Sequence, residues 1–299
     1  MPLVSFNDLM GAAKDGGYAV GYFESWDKHS LLAVADAAKI ARSPVLLGFS
    51  GLYLSHSERL VQDPLSVYAA LGREVCQQLP TPAALVFNES PDMDSVLEAA
   101  GLGFNLVMYS DESLDASSQL IRVKEAAKST HLLGAAVEGE IFALPGIGGS
   151  LIEPPAEVPL TSVEEAVEFV TETGIDALAV NLGQMHLHGR RIVRLDLDLL
   201  QELSTALSVP LVLHGASSIQ LPHLRSAIEL GIRKINVGSK LKQTFFDTLK
   251  VSCINTDDIY NPYITVGSGL NGDVLTAARL ALRDVVVDLM KLFGSAGKA

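Results

Sequence analysis

Short apolar runs rich in Val, Leu and Ile recur along the chain, separated by longer segments whose apolar residues have helical spacing. The eight runs cover 18–24, 44–49, 83–88, 106–110, 133–140, 176–183, 210–217 and 234–238. Most show little polar alternation, which is expected for parallel strands that helices cover on both faces. Helix start signals fall between the runs, for example at Ser162 and Asp196. The alternation predicts an α/β protein built on a parallel sheet.

Eight β/α units favour a closed (β/α)8 TIM barrel over an open doubly wound sheet. A doubly wound sheet usually has fewer strands and often an early Gly-rich phosphate turn, and no such turn follows 18–24. Because one barrel takes about 250 residues, we expect a single domain over 1–299. Two segments, 141–160 and 255–271, are too long for simple connections, and we expect loops near the site there.

The formal net charge of −13 argues against a nucleic-acid partner, because phosphate backbones are bound mainly through clustered Lys and Arg. No apolar stretch reaches the roughly 20 residues that a membrane helix needs, so we expect no membrane partner. Cys76 and Cys253 lie far apart and we see no signal peptide, which favours a cytoplasmic protein. An anionic substrate would need local cations or backbone amides against this acidic average field.

Polar side chains gather where the predicted strands end. In barrels of this kind the reactive groups lie at the carboxyl ends of the strands. The residues at these ends are Glu24, Asn88, Glu89, Ser110, Asp111, Glu138, Glu140, His186, His214, Ser217, Asn236 and Ser239. Strand ends that only closed a core would not need this collection, so we expect the site at this end of the barrel.

His186 and His214 end neighbouring strands, and their imidazoles could converge above the barrel. Two imidazoles and a carboxylate suit Zn²⁺ or a similar divalent ion with an open position for substrate. The spacing is equally compatible with two hydrogen-bonded histidines that only position loops.

The last two strands are followed by segments that suit a phosphate group. Gly215 and Ser217 follow one strand, and Asn236 and Ser239 end the next. Barrel enzymes often hold phosphate at these two strands through backbone N–H groups and hydroxyls. The alternative is a pair of ordinary strand-to-helix turns capped by serine.

Several motifs together make the chain resemble a known family of enzymes. The matching segments include Gly17-Tyr18-Ala19-Val20-Gly21, Val137-Glu138-Gly139-Glu140, Asp176-Ala177-Leu178-Ala179-Val180, Val209-Pro210-Leu211-Val212-Leu213-His214-Gly215-Ala216-Ser217 and Lys234-Ile235-Asn236-Val237. Over nearly its whole length the chain resembles the class II, metal-dependent aldolases of the fructose-bisphosphate and tagatose-bisphosphate group, as a divergent member.

The resemblance implies a zinc-dependent lyase that acts on a phosphorylated sugar. His186 and His214 match two of the three zinc ligands, while Ser217, Asn236 and Ser239 match positions that hold a substrate phosphate. Such enzymes polarise the carbonyl of a ketose or of dihydroxyacetone phosphate with the metal, stabilise the enediolate, and make or break the adjacent carbon–carbon bond. Family members form homodimers or homotetramers.

The third strand departs from the family pattern His-Leu-Asp-His-Gly. In that pattern the Asp is the acid/base and the second His binds zinc, whereas this chain has Val86-Phe87-Asn88-Glu89-Ser90. Asn88 stands at the catalytic position but cannot transfer a proton. A carboxylate at Glu89 can ligate zinc, which would give a sphere of Glu89, His186 and His214.

Other departures also fall at strand ends. Glu24 and Trp26 stand where the family usually has Asn, and Asp111 follows a strand whose family ending is Asp-Gly-Ser. Leu187 replaces a Gly that lies near phosphate and a monovalent cation in the family. We hypothesise that Glu24 or Glu89 replaces the missing Asp, with Asp111 as a further candidate.

Two more residues match family positions. Arg279 matches one that reaches a distal phosphate or a neighbouring subunit, although a solvated helical Arg is as plausible. Glu140 aligns with a Glu near a secondary metal position. The sequence thus predicts a divergent class II aldolase for a phosphorylated ketose other than ordinary fructose bisphosphate. The alternative is an inactive relative that binds a sugar phosphate as an accessory protein.

Overall fold

A computed structural model of the protein describes residues 3–144, 159–184, 193–256 and 259–299. Parallel strands pair in chain order and close on themselves, since the last strand pairs with the first. The strands are β1 (Val20–Ser25), β2 (Val45–Ser50), β3 (Ala83–Ser90), β4 (Leu106–Tyr109), β5 (Ala136–Glu140), β6 (Ala177–Ala179), β7 (Leu211–Leu213) and β8 (Ile232–Val237). The predicted (β/α)8 TIM barrel is confirmed.

Helices that follow the strands form the outer layer of the barrel. The helices are α1 (Phe6–Gly16), α2 (Lys28–Ala41), α3 (Gly51–Leu54), α4 (Leu65–Gln78), α5 (Met93–Gly101), α6 (Ala116–His131), α7 (Val163–Thr173), α8 (Leu197–Ala206), α9 (Leu221–Glu229), α10 (Ser239–Ile254), α11 (Pro262–Thr265) and α12 (Val274–Leu292). Helix α1, by contrast, precedes β1 and packs its buried side chains against the barrel interior. No helix among the described residues is long and apolar enough to cross a membrane.

Two helix starts agree with the sequence prediction. The Ser162 hydroxyl accepts the backbone N–H of Glu165 at the start of α7. Asp196 accepts the N–H of Leu199 at 3.0 Å at the start of α8. Both caps satisfy amide groups that the first helical turn leaves without partners.

Some strands are shorter than the apolar runs that predicted them. The run 133–140 begins as a turn after α6, in which Gly134 has φ 80°, and the strand starts only at Ala136. The run 210–217 stops being a strand after Leu213, because Gly215 adopts φ 66° and leads into a short 3-10 turn, Ala216–Ser218. In both cases a left-handed glycine redirects the chain. The segment 255–271 contains α11, whereas 145–158 of the other long segment lie outside the described residues.

Strand alternation decides which residues enter the barrel. In β1, Val20 and Tyr22 belong to the interior cluster, while Phe23 faces the helices and stacks on Phe293 at 6.2 Å between ring centroids. Glu24 shares the parity of Tyr22 and therefore points inward. The same rule applies to Asn88 after Val86, to Glu138 and Glu140 after Ala136, and to His214 after Val212. The apolar interior of the barrel thus gives way to polar side chains at the carboxyl ends of the strands.

The final helix, α12, packs against α2 and α10 and is anchored at its start by Asp273. This side chain is only 2% exposed and accepts the N–H groups of Gly269 at 2.8 Å and Leu275 at 3.0 Å, and the Thr276 hydroxyl at 3.1 Å. Burial opposes its charge, but these donors together with the Gly267 amide lower the pKa of Asp273 to about 2. Asp273 therefore stabilises the fold as an anion.

We expect Asp273→Asn to lower the free energy of unfolding by about 1–3 kcal/mol at pH 7, because an amide N–H₂ would face the Gly269 or Leu275 donor. The folded pKa lies below the unfolded value of about 3.9, so the stabilising effect is complete above roughly pH 4 and disappears as pH falls toward 2. Thermal unfolding between pH 2.5 and 7 measures this. Asp92→Asn, at the exposed cap of α5, is the control. A deficit that stays constant down to pH 2.5 would contradict the assignment.

Candidate active site

A buried histidine lies between two carboxylates at the carboxyl end of the barrel. His214 directly follows β7, and its Nδ1 lies 2.8 Å from Glu89 Oε1. Its Nε2 lies 2.7 Å from Glu138 Oε1 on β5. The side chains of His214 and Glu138 are fully buried, and that of Glu89 is 13% exposed. Both ring nitrogens of His214 therefore face carboxylate oxygens.

A buried lysine extends this network to β8. Lys234 Nζ lies 2.7 Å from Glu138 Oε2 and donates to Asn236 Oδ1 at 2.6 Å. Asn236 Nδ2 in turn lies 2.9 Å from His214 Nε2 and donates to Asn88 Oδ1 at 3.3 Å. The network thus connects β3, β5, β7 and β8.

The charges of this network compensate one another. Burial alone would raise the pKa of Glu138, but the charge of Lys234 and the hydrogen bond from His214 outweigh it and lower that pKa. Burial alone would lower the pKa of His214, but its hydrogen bonds with Glu138 and Glu89 outweigh it and raise that pKa. With Glu89 and Glu138 ionised and Lys234 and His214 protonated the group would be neutral overall, although burial lowers the pKa of Lys234 against the opposing charge of Glu138.

Glu89 enters the site through an unusual backbone conformation. It has φ 52°, in the left-handed region, and the pairing of β3 with β4 shifts register between Phe87 and Ser90. In a regular strand Asn88 and Glu89 would point to opposite faces. The left-handed residue lets both side chains face the barrel axis, at the cost of local strain that non-glycine residues carry there.

A second polar group lies at the end of β1. Lys242, in the first turn of α10, donates to Glu24 Oε1 at 2.5 Å. Its Nζ lies 4.0 Å from the Tyr53 ring centroid and 5.9 Å from that of Trp26. Burial raises the pKa of Glu24, and Lys242 opposes this shift. Gly238 makes room for the carboxylate, since a Cβ there would lie 2.3 Å from Glu24 Oε2.

Glu140 and Asp111 have different surroundings. The Ser110 hydroxyl donates to Glu140, and both residues are buried. Burial raises the pKa of Glu140 to about 8, with His214 opposing and Glu89 adding to the shift. Asp111 instead accepts the N–H of Ser113 at 2.9 Å and its hydroxyl at 2.6 Å, and so stabilises the turn after β4.

The residues predicted to bind phosphate follow two paired strands. Ser217 lies in the 3-10 turn after β7, and Ser239 is the first residue of α10 after β8. Both are half-buried. Arg279 on α12 lies in the outer layer, where its Nη2 is 2.6 Å from Asp36 Oδ2 on α2.

The donor chemistry around His214 fits a divalent ion. One ring nitrogen is fixed by the Glu138 carboxylate, which is the usual way in which a metal-binding imidazole is oriented. The other ring nitrogen, Nδ1, faces Glu89. A metal ion bound between Nδ1 and the Glu89 carboxylate would replace a proton there. The described residues contain no group of three or more His, Cys, Asp or Glu side chains arranged around one point. His186, the third member of the predicted sphere, lies outside the described residues.

Sequence reasoning placed Glu138 among the polar strand ends but gave it no role, and it did not select Lys234 or Lys242. The first two had a readable signal, because Lys234 shares an inward face with Asn236 in an otherwise apolar strand, as Glu138 does with Glu140. Lys242 had none, since its contact with Glu24 joins residues 218 positions apart.

Comparisons with known proteins agree on the family of this chain. The family model for class II fructose-bisphosphate aldolase matches residues 4–298. A sulfofructosephosphate aldolase of Alkalicoccus urumqiensis is 27% identical over 300 residues, covering 100% of this chain and 99% of that protein. The uncharacterized protein YdjI of Escherichia coli K12 is 31% identical over 284 residues, or 94% of each chain. A crystal structure of the YdjI aldolase matches with a TM-score of 0.79 over 99% of both chains, at 27% identity. The chain therefore belongs to the class II fructose-bisphosphate aldolase family.

Proposed function

We propose that the protein cleaves or forms a carbon–carbon bond in a phosphorylated ketose or related sugar, with a divalent metal, and that ordinary fructose bisphosphate is not its substrate. The observation that carries this proposal is His214, held between Glu89 and Glu138 at the strand ends of a chain that matches the family over 4–298. The replacements at Asn88 and Glu24 support a substrate and proton path that differ from the family pattern.

Glu89, His186 and His214 would hold the metal, with Zn²⁺ as the expected ion. When bound, the ion supplies a Lewis acid that polarises the substrate carbonyl. Glu138 fixes the orientation of the His214 ring, and Lys234 in turn holds Glu138 in place. Glu140 is the residue that we propose for a secondary metal position; it is buried at the end of β5 and accepts the Ser110 hydroxyl in the free protein.

Proton transfer has to come from a residue other than Asn88, because an amide does not ionise at accessible pH. We propose Glu24, which points into the barrel and feels the charge of Glu89. Its raised pKa lies nearer to neutral pH, where a general base works best. Asp111 is the second candidate, although its carboxylate is engaged by Ser113.

The phosphate group would lie at the ends of β7 and β8. Gly215, Ser217 and Ser239 offer backbone N–H groups and hydroxyls there. A substrate that also accepts a hydrogen bond from Asn236 Nδ2 would displace Asn88 Oδ1 from that donor. Arg279 would reach a distal phosphate only by leaving Asp36. A monovalent cation near the phosphate remains part of the proposal, beside Leu187, which is outside the described residues.

We also propose a cytoplasmic homodimer or homotetramer. The free thiols of Cys76 and Cys253 support the location. Support for assembly comes from large apolar side chains exposed on α10, α11 and the segment between them. These are Phe246, Val251, Ile254, Ile259, Tyr260, Tyr263 and Val266. Several large apolar side chains exposed along one stretch of chain support an interface between subunits there.

Metal content distinguishes the enzyme from an inactive sugar-phosphate-binding relative. We expect the purified protein to contain about one divalent ion per chain, and His186→Ala or Glu89→Ala to lower the affinity at least 10- to 100-fold, since both remove a proposed ligand. Elemental analysis by mass spectrometry measures this, with Asp111→Asn as the control. A metal-free wild type would favour the inactive relative, and unchanged metal in Glu89→Ala would remove Glu89 from the sphere.

Solvent exchange tests the acid/base role of Glu24 without knowledge of the aldehyde. We expect the protein to exchange the α-proton of dihydroxyacetone phosphate in D₂O, followed by NMR, and Glu24→Gln to slow this about 10²- to 10⁴-fold. Asp111→Asn tests the second candidate, because a rate that falls only in this variant would assign the proton transfer to Asp111. The role fails if Glu24→Gln, with its metal content intact, exchanges at the wild-type rate.

A further inference from the structure

Lys242 holds the carboxylate of Glu24 by one of its two oxygens. Its Nζ reaches from the first turn of α10 to the end of β1, where it lies 2.5 Å from Glu24 Oε1. The other oxygen, Oε2, lies against the backbone of Gly238, where a Cβ would come within 2.3 Å of it. Among the residues that the structure describes, no second side chain donates a hydrogen bond to Glu24. Oε2 therefore keeps lone pairs that can accept a proton.

Two aromatic rings lie beside the ammonium group of Lys242. Its Nζ lies 4.0 Å from the Tyr53 ring centroid and 5.9 Å from that of Trp26. The Trp26 ring packs edge-on against Phe245, in the next turn of α10, with 5.4 Å between centroids. Cation–π attraction favours this position of the ammonium. The rings also replace part of the water around the ion pair, which strengthens its attraction compared with a pair at an open surface.

The charge state of Glu24 depends on opposing effects. Burial raises its pKa and the charge of Glu89 adds to this rise, whereas the charge and hydrogen bond of Lys242 oppose it. Tyr22 and Tyr53 are the other titratable groups that interact with Glu24, and burial followed by the charge of Glu24 raises the pKa of both. These phenols are therefore neutral near pH 7. Within the described residues, Lys242 is the cation that favours the ionised form of Glu24.

Lys234 cannot replace Lys242 in this role. Its side chain is fully buried, and its Nζ is engaged by Glu138 and Asn236. Loss of Lys242 would leave Glu24 near Glu89 without a partner cation. A buried carboxylate in that position takes up a proton more readily, and a protonated carboxyl group cannot act as a base.

We propose that Lys242 is a positioning residue for proton transfer, which keeps Glu24 ionised and leaves Oε2 as the oxygen that takes the proton from the sugar. In that step the C–H bond of the sugar breaks, its electron pair remains in the enediolate, and the proton passes to Oε2. Lys242 acts through Glu24 and needs no contact with the substrate. The inference rests on the proposed role of Glu24 as the base and names the residue that makes this carboxylate competent.

The titration of Glu24 tests the electrostatic part of the proposal without any substrate. The full-length, zinc-loaded protein is labelled with ¹³C at the glutamate side-chain carboxyls, and the Glu24 signal is the one that is absent from the spectrum of Glu24→Gln. We expect Lys242→Gln to move the titration midpoint of this signal upward by about one pH unit or more, as the loss of an adjacent opposite charge does. Lys242→Arg keeps the charge and should stay near the wild-type midpoint. An unchanged midpoint in Lys242→Gln overturns the proposal.

The pH dependence of proton exchange tests the catalytic part. Exchange of the α-proton of dihydroxyacetone phosphate in D₂O requires ionised Glu24, so the rate falls as the pH decreases through the pKa of this group. Lys242→Gln should move this acid limb upward together with the NMR midpoint, while the rate at high pH stays within about 10-fold of wild type because Glu24 is still present. A misfolded variant would instead lose rate to the same extent at every pH. Lys250→Gln, which removes a charge from the exposed end of the same helix, should behave as wild type.

The remaining outcomes separate this inference from the proposed function. Lys242 lies one helical turn from Ser239, so a Lys242→Gln protein with a higher KM and an unmoved acid limb would make Lys242 a substrate contact and the proposal wrong. A moved NMR midpoint beside an unmoved acid limb refutes the positioning role alone. If Glu24→Gln exchanges at the wild-type rate, or the wild type exchanges no proton at any pH, the proposed role of Glu24 fails and the role of Lys242 fails with it.

Discussion

The carboxyl end of this barrel depends on one buried interaction, the imidazole of His214 between Glu89 and Glu138. Lys234 completes the compensation of charge, and together these side chains join strands that are far apart in the chain. Removing one member of such a buried set leaves the others uncompensated, which costs about 3–5 kcal/mol in comparable cases. The groups that would hold a metal are therefore also groups that hold the strand ends together.

The polar end has two zones with different properties. The zone around His214 is largely buried, with only Glu89 partly exposed, and has little freedom because its hydrogen-bonding atoms are engaged by neighbours on fixed strands. The zone around Lys242 is partly exposed and lies on α3 and α10, with aromatic rings instead of a hydrogen-bond lattice. The first zone suits chemistry that needs fixed geometry, and the second leaves its side chains more freedom to move.

Much of the frame could be predicted from the sequence, because it follows from local rules. Apolar runs located all the strands, and the polar residues at Ser162 and Asp196 located helix starts. The strand-end rule also brought Glu89 and His214 to one region, where they lie 2.8 Å apart. The pairing of Glu24 with Lys242 could not be predicted. It depends on how far the Lys242 side chain extends over the carboxyl end of the barrel, on its contact with the Tyr53 ring and on the missing Cβ of Gly238. The burial of Lys234 contradicts the ordinary preference of lysine for solvent.

The left-handed backbone at Glu89 has a consequence for which side chains this position can hold. Histidine is enriched in left-handed conformations compared with most side chains. Glutamate has no such enrichment, yet it holds φ 52° here. The bend in the strand thus suits histidine better than glutamate, and a histidine at this position would require little adjustment of the main chain.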